Sequence, residues 1–334
     1  MSSQGLPGLN NLITDIPGIR IGHAEDVRIG SGATALLFDR PATASVAIRG
    51  CAPGLRDGAL LEPDSAIEKI DALVLSGGAL YGLDAAGGTS AFLREQGRAL
   101  LPDRNHVPIV PGAVIFDLQN GGDKNWGNSP VYWYLGYAAA AAAKTEFPLG
   151  NVGVGLGATL ADLKGGLGSA STRASCGFYV GALVAVDAAG QATIGDGPHF
   201  WAAPYERNGE FGGRGWPQCW PNDVLRVKAN AAQNATIAVI ATDAALTKAE
   251  AKRLAGMAQD GMARALRPAH AALNGDIVFS VATGTALEPP SLGDLTEIGN
   301  CAADCVARAI ARAVFEAEAL PFESALPSWK VKFG

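Results

Sequence analysis

Short apolar runs alternate along the chain with longer stretches in which apolar residues recur at helical spacing. The runs at 19–21, 34–38, 45–48, 72–75, 108–110, 152–154, 180–186, 236–241 and 277–281 are too short for helices, rich in Val and Ile, and bounded by turn residues. They are predicted to be buried strands. Helices are predicted over 83–96, entered through the turn Ser76-Gly77-Gly78, and over 132–143, 248–266 and 297–317. The third carries the clearest signals. Thr247 and Glu250 form a capping box, Leu254, Met257, Ala258, Met262 and Ala265 fall on one stripe, and Pro268 marks the stop. In the last helix Ile298, Cys301, Cys305, Ala309 and Val314 are expected to point inward. The elements mix without strict strand–helix–strand alternation, and no repeat or Pro-, Ser- or charge-rich linker divides them. That predicts one folding unit over 1–334, of mixed α/β (α+β) class, with sheets in layers and helices outside.

Composition narrows the function classes. With 48% hydrophobic and 17% charged residues the chain is globular rather than disordered, and a net charge of -6 gives no case for nucleic acid or an anionic membrane. The apolar stretch 135–143 is far below the roughly 20 residues of a membrane span. The N-terminus has no basic-then-apolar leader pattern. Cys51, Cys176, Cys219, Cys301 and Cys305 are odd in number and scattered, which fits a reducing, cytoplasmic setting. The four histidines, His23, His106, His199 and His270, show no ligand spacing, so neither a metal nor a cofactor is expected. The segment 199–223 is irregular and holds Trp201, Trp216 and Trp220; it reads either as part of an interface or as a lid.

Gly153, Gly155 and Gly157 form G-x-G-x-G, not the G-x-G-x-x-G that opens a dinucleotide-binding helix, so a nucleotide-dependent oxidoreductase rests on weak spacing alone. These glycines read better as a tight turn beside a site, with Lys164 at its edge. No G-x-S-x-G is present for a simple serine hydrolase.

Six ordered motifs carry more weight: ITDIPGIRIGHAED at 13–26, IRGCAPGLRD at 48–57, LSGGALYGLDAAGG at 75–88, KGGLGSAS at 164–171, GALVAVDAAG at 181–190 and NATIAVIATDAALT at 234–247. Together they resemble the L-aminopeptidase/D-esterase and β-aminopeptidase family of N-terminal-nucleophile hydrolases. IGDGPHFWAAP, LTKAEAKRLAGMAQDG and LNGDIVF are most similar to its nylon-oligomer (aminohexanoate-oligomer) hydrolase branch. The resemblance implies a four-layer αββα sandwich and a homo-oligomer, a tetramer. It also implies a precursor that cuts itself into a large chain (1–234) and a small chain (235–334) and then hydrolyses short or unnatural peptides. In such enzymes the residue after the cut supplies a hydroxyl nucleophile, and its freed α-amine, with a pKa of about 7.7–8.0, serves as base.

By that resemblance Asn234 precedes the cleavage point, but Ala235 occupies the nucleophile's place, and a methyl group cannot attack a carbonyl. Thr236 is adjacent, yet strand alternation turns it to the opposite face. Lys164 matches a lysine beside the nucleophile. Asp187 falls where the branch has an oxyanion-donating Asn, and a carboxylate there repels an oxyanion unless protonated. Asn274 and Asp276 fall where the branch has two acidic residues, and only the second is kept. Two accounts follow: an amide hydrolase in uncleaved or inactive form, or a non-catalytic homologue that keeps the fold for binding or assembly.

Overall fold

A computed structural model describes residues 5–98, 107–222, 224–228, 234–272, 274–286 and 288–334. Ten strands and five α-helices occur there in the order β1 (Leu6–Pro7), β2 (Ile19–Asp26), β3 (Ser31–Ile48), β4 (Leu55–Arg56), β5 (Lys69–Ser76), α1 (Ala85–Glu95), β6 (Gly112–Val114), α2 (Tyr132–Ala141), β7 (Gly166–Arg173), β8 (Tyr179–Asp187), β9 (Ala235–Thr242), α3 (Lys248–Ala265), β10 (Ile277–Ala282), α4 (Leu292–Glu316) and the short α5 (Trp329–Phe333). His106 lies outside the described residues.

The strands form a continuous ladder, β1-β7-β8-β9-β10-β3-β5-β6-β4, with β2 also on β3. The ladder doubles back at β3. The first part of β3 pairs with β2 and β5, and Thr43–Ile48 pair with β10. Pairing to β5 shifts between Leu37 and Ala42, where Asp39-Arg40-Pro41 interrupts the apolar pattern and Pro41 has no N–H to give. The interruption predicted two separate strands; the structure carries one strand of 18 residues through a bulge.

Three apolar layers result. Leu36, Phe38, Leu73 and Leu75 meet Leu183, Ile237, Val239 and Phe279 between the two sheets. Ala35, Leu37, Val74 and Leu93 pack with Tyr132 and Ala139 beneath α1 and α2. Val184, Ala238, Ile240, Leu254, Met262 and Val306 pack beneath α3 and α4. This is the αββα sandwich, and period-two alternation along β3 and β9 sends successive side chains into different layers.

β7 was not predicted, because GLGSASTR has small polar residues rather than a strand-like apolar run. Gly168 explains the composition: a Cβ there would lie 1.9 Å from the Ala309 carbonyl oxygen of α4. Two predicted strands are absent. Pro108 and Pro111 push the pairing on to Gly112, and Gly153, at φ 52°, turns 153–156 into a 3-10 turn. α4 begins earlier than predicted, because Ser291 and Asp294 form a capping box. The Thr247–Glu250 box stands where predicted.

The segment 199–223 packs over α4 and α5 through Phe200, Phe211 and Glu210. Trp201 is buried beneath Arg267, while Trp216 and Trp220 are exposed. None of its described residues lines either of the two cavities beside residue 235.

Candidate active site

The Asn234–Ala235 bond sits at the mouth of the central strand β9, between β8 and β10. Ala235 is register partner to Asp187 at the end of β8, and Asn234 bridges Asn274 just before β10 begins. The Asn234 carbonyl accepts a 2.6 Å hydrogen bond from the Gly275 N–H. A Cβ at Gly275 would stand 2.5 Å from the Ala52 carbonyl oxygen, so a side chain there would push away the 50–54 loop, whose Ala52 N–H bonds the Asn274 carbonyl. The acyl oxygen of the bond is therefore already held by a backbone donor, as an oxyanion site requires.

Asp276 braces the other side of the bond. Its Oδ1 accepts the Thr236 N–H at 3.0 Å, and its Oδ2 accepts the His270 N–H at 2.9 Å and His270 Nδ1 at 3.0 Å. Asn274 Nδ2 stands 3.4 Å from the same oxygen. Thr236 is fully buried on the helix side of the sheet, lines neither cavity, and its hydroxyl has no partner. Ala235 instead packs with Ile237 and Val239 on the inter-sheet side, where it lines a cavity.

Charge at the site is organised by two lysines. Lys228 Nζ donates to Asp187 Oδ1 at 3.0 Å and to Asn234 Oδ1 at 2.5 Å. Thr159 adds its N–H to Asp187 Oδ1 at 3.1 Å. The Asp187 carboxylate is thus paired with an ammonium that also holds the Asn234 side chain. Lys164 is buried, and its Nζ donates to the Gly155 and Gly165 carbonyls at 2.9 and 2.7 Å. Burial pulls it down to about 7, opposed by the charges of Asp187 and Asp117 and reinforced by Lys228. Asp117 accepts from Ser31 Oγ at 2.5 Å and from the Gly78 N–H at 2.7 Å, and burial raises it to about 6, opposed by the Lys124 charge and these two bonds.

Two cavities flank the bond. One, of about 240 Å³, is the more polar of the two and is lined by Asp117, Asn120, Thr159, Lys164, Lys228 and Asn234 among others. The second, of about 210 Å³, is largely apolar and includes Pro53, Leu80, Val114, Ile115 and Ala235. They share Phe116 and Asn234. Two oxygens close to the bond, Asp187 Oδ2 and Asn274 Oδ1, are buried without a hydrogen-bond partner. Such orphaned acceptors are uncommon and mark a place suited to a donor group. Among the described residues no cluster of His, Cys, Asp and Glu is arranged to hold a metal ion.

Asp187, Asn234, Ala235, Asn274 and Asp276 thus meet at one point, and Lys164 joins them through the polar cavity. Sequence reasoning missed Lys228, His270, Gly275 and Asp117. The segment around Lys228 has no periodicity to flag it. His270 and Asp276 lie six positions apart in one segment, a signal that no metal-ligand or triad spacing captures.

A sequence profile described as peptidase family S58 matches residues 11–325. An uncharacterized aminopeptidase of Mycobacterium tuberculosis is 40% identical over 97% of this chain and 98% of its own length. The 6-aminohexanoate-oligomer endohydrolase of Paenarthrobacter ureafaciens is 28% identical, covering 83% of this chain and 76% of the relative. Among solved structures, the L-aminopeptidase D-Ala-esterase/amidase of Ochrobactrum anthropi, described as a variant of the Ntn hydrolase fold, superposes with a TM-score of 0.75 at 22% identity, over 97% of this chain and 92% of that one. The last shows likeness of fold alone.

Proposed function

This chain belongs to peptidase family S58, hydrolases of peptide and amide bonds, and we propose that it is a member arrested before self-cleavage: a single, hydrolytically silent chain that keeps the pocket for short peptide or amide substrates. The observation that carries this reading is local. Asn234, its gripped side chain and its carbonyl donor are all in place, orphaned acceptors lie close by, and Ala235 alone brings no hydroxyl. Thr236 is no substitute, since its hydroxyl is sealed on the far side of β9. Denaturing mass spectrometry tests the first half of the proposal: freshly purified protein should give one species of full-chain mass. Two fragments would overturn it.

Lys228 acts here as a positioning residue. It neutralises Asp187 and fixes Asn234, so removing it exposes a developing oxyanion to an uncompensated carboxylate. In an Ala235→Thr background, Lys228→Met is expected to slow self-cleavage by about 10- to 100-fold. Adding Asp187→Asn should recover part of that loss, because the repelling charge goes with it. Equal losses from Lys228→Met with and without Asp187→Asn would disprove the coupling.

Lys164 supplies the pH dependence. A lysine lowered to about 7 is protonated below that pH and a neutral base above it. The self-cleavage rate of Ala235→Thr should therefore rise as pH increases through about 7, and Lys164→Met should flatten that limb. A rate independent of pH from 6 to 8.5 (roughly one unit or more either side of that value) would remove Lys164 from the reaction.

A further inference from the structure

His270 stands one side chain away from the scissile bond, in the loop between α3 and β10. Its φ of 53° is left-handed, a conformation disfavoured for any residue that carries a side chain. The loop is held there from both ends. Arg267 exchanges two backbone hydrogen bonds of 3.0 Å with Gln191, which pins it to the segment after β8. A Cβ at Gly190 would stand 2.5 Å from the Arg267 carbonyl oxygen, so the two segments are pressed together. At the other end Asp276 Oδ2 takes both the His270 N–H, at 2.9 Å, and the ring Nδ1, at 3.0 Å. Backbone strain persists only where the surroundings over-determine it, and it concentrates at working sites.

What this clamp holds is the Thr236 N–H. Asp276 is 1% exposed, and its Oδ1 accepts that N–H at 3.0 Å. β10 pairs with β9 only from Ile277 opposite Ile237, so the Asp276 side chain stands where a further rung would be. On this flank residue 235 has two printed tethers, one on each side of it. Upstream, the Gly275 N–H holds the Asn234 carbonyl; downstream, Asp276 holds the Thr236 N–H. A cut between 234 and 235 takes the first away, because the new chain end no longer carries Asn234. The second then anchors residue 235 on the β10 side. Asn274 Nδ2, at 3.4 Å from Oδ2, is too distant to fix the carboxylate plane, and the His270 ring does so. Since Asp276 is the acceptor in each of these bonds, the ring carries its proton on Nδ1.

Resting on the reading of Asn234–Ala235 as the cleavage point, we propose that His270 is a positioning residue. Through Asp276 its Nδ1–H holds residue 235 in place, and it matters more after the chain is cut than before.

Two substitutions separate the ring donor from the backbone turn. Gly and Asn both adopt positive φ readily, so His270→Gly and His270→Asn each keep the turn, and Asn alone returns an N–H donor near the place of Nδ1. In the unaltered, uncleaved background, amide-resolved hydrogen exchange at Thr236 should be about tenfold faster in His270→Gly. It should stay near the native rate in His270→Asn, and Val239 and Ile240 should not change in either. Imidazole nitrogen NMR at mildly alkaline pH should show the His270 ring, identified by its loss in His270→Asn, protonated at Nδ1. In the Ala235→Thr background, His270→Gly should lower kcat on alanine p-nitroanilide about 10- to 100-fold at unchanged KM, and slow self-cleavage less than that. His270→Asn should recover most of both. The proposal fails if Thr236 exchange ignores His270→Gly, if exchange rises equally along the whole of β9, or if His270→Asn restores nothing. A ring protonated at Nε2 alone, or self-cleavage slowed more than turnover, would overturn it as well. An Ala235→Thr chain that does not cut itself would sink the reading of residue 235 instead, while the exchange rates would still decide whether His270 holds Thr236.

Discussion

Ala235→Thr should turn one chain into two, separating residues 1–234 from 235–334 on a denaturing gel or in a mass spectrum. The substituted side chain enters a place prepared for it. Ala235 is 4% exposed, opens a strand where β-branched residues are favoured, and borders a cavity of about 210 Å³. Its hydroxyl attacks the Asn234 carbonyl carbon, and the oxygen held by Gly275 N–H takes the developing charge. The C–N bond then breaks, the hydroxyl proton passes to the departing nitrogen, and water hydrolyses the resulting ester. The freed amine and the hydroxyl then share one residue, the arrangement needed for turnover of external amides. A hydroxyl nucleophile is worth on the order of a million-fold in kcat in hydrolases that depend on one, so activity should rise from background to easily measured. Ala235→Ser is a second route to the same result. Failure of both to cleave, even with Asp187→Asn added, would mean that the cavities serve binding alone. Cleavage of the unaltered chain between Ala235 and Thr236 would make Thr236 the nucleophile.

The second large effect is on stability. Arg308 is 1% exposed, and all five of its N–H groups are used: Nε to Glu210 Oε1 at 2.6 Å, Nη1 to the Ser171 carbonyl and Thr172 Oγ1 at 3.0 Å each, and Nη2 to Asn11 Oδ1 at 2.7 Å and Glu210 Oε2 at 3.1 Å. One side chain on α4 thereby ties together the N-terminal segment, β7 and the 199–223 segment. Arg308→Met strands Glu210, whose remaining ion-pair partner, Arg312, lies 3.7 Å away. Breaking a buried pair in this way costs about 3–5 kcal/mol, a large part of a typical domain's 5–15 kcal/mol. Urea denaturation should show the midpoint falling accordingly. Replacing Glu210 and Arg308 together should cost less than Arg308→Met alone; a loss under about 1 kcal/mol for Arg308→Met would mean that water repairs the network.

Sequence alone made the layers legible, because alternation along β9 and the stripe on α3 directly record which side each residue faces. It failed where backbone proximity, not side-chain pattern, decides structure. β7 is built of small residues because α4 presses against it, and β3 runs on through a Pro-bearing bulge that looks like a turn. At the site, register brings residues on regular strands together: Ala235 opposite Asp187 is a consequence of β8 pairing with β9. Lys228, His270 and Gly275 lie outside strands, and their contacts arise from how loops fold back. No periodicity encodes such contacts, so the pairing of Asp187 with Lys228 was invisible.

The strand order has a consequence for what a cut at residue 235 produces. β9 and β10 belong to the downstream piece, yet they lie between β8 and β3, which belong to the upstream piece. The two products are thus interleaved like the fingers of clasped hands, with unbroken hydrogen-bond ladders on both flanks. Neither piece holds a complete second sheet, and α3 and α4 remain seated over strands contributed by both. Severing the backbone therefore liberates a new chain end without liberating a subunit, and the fragments part only when the whole sandwich unfolds.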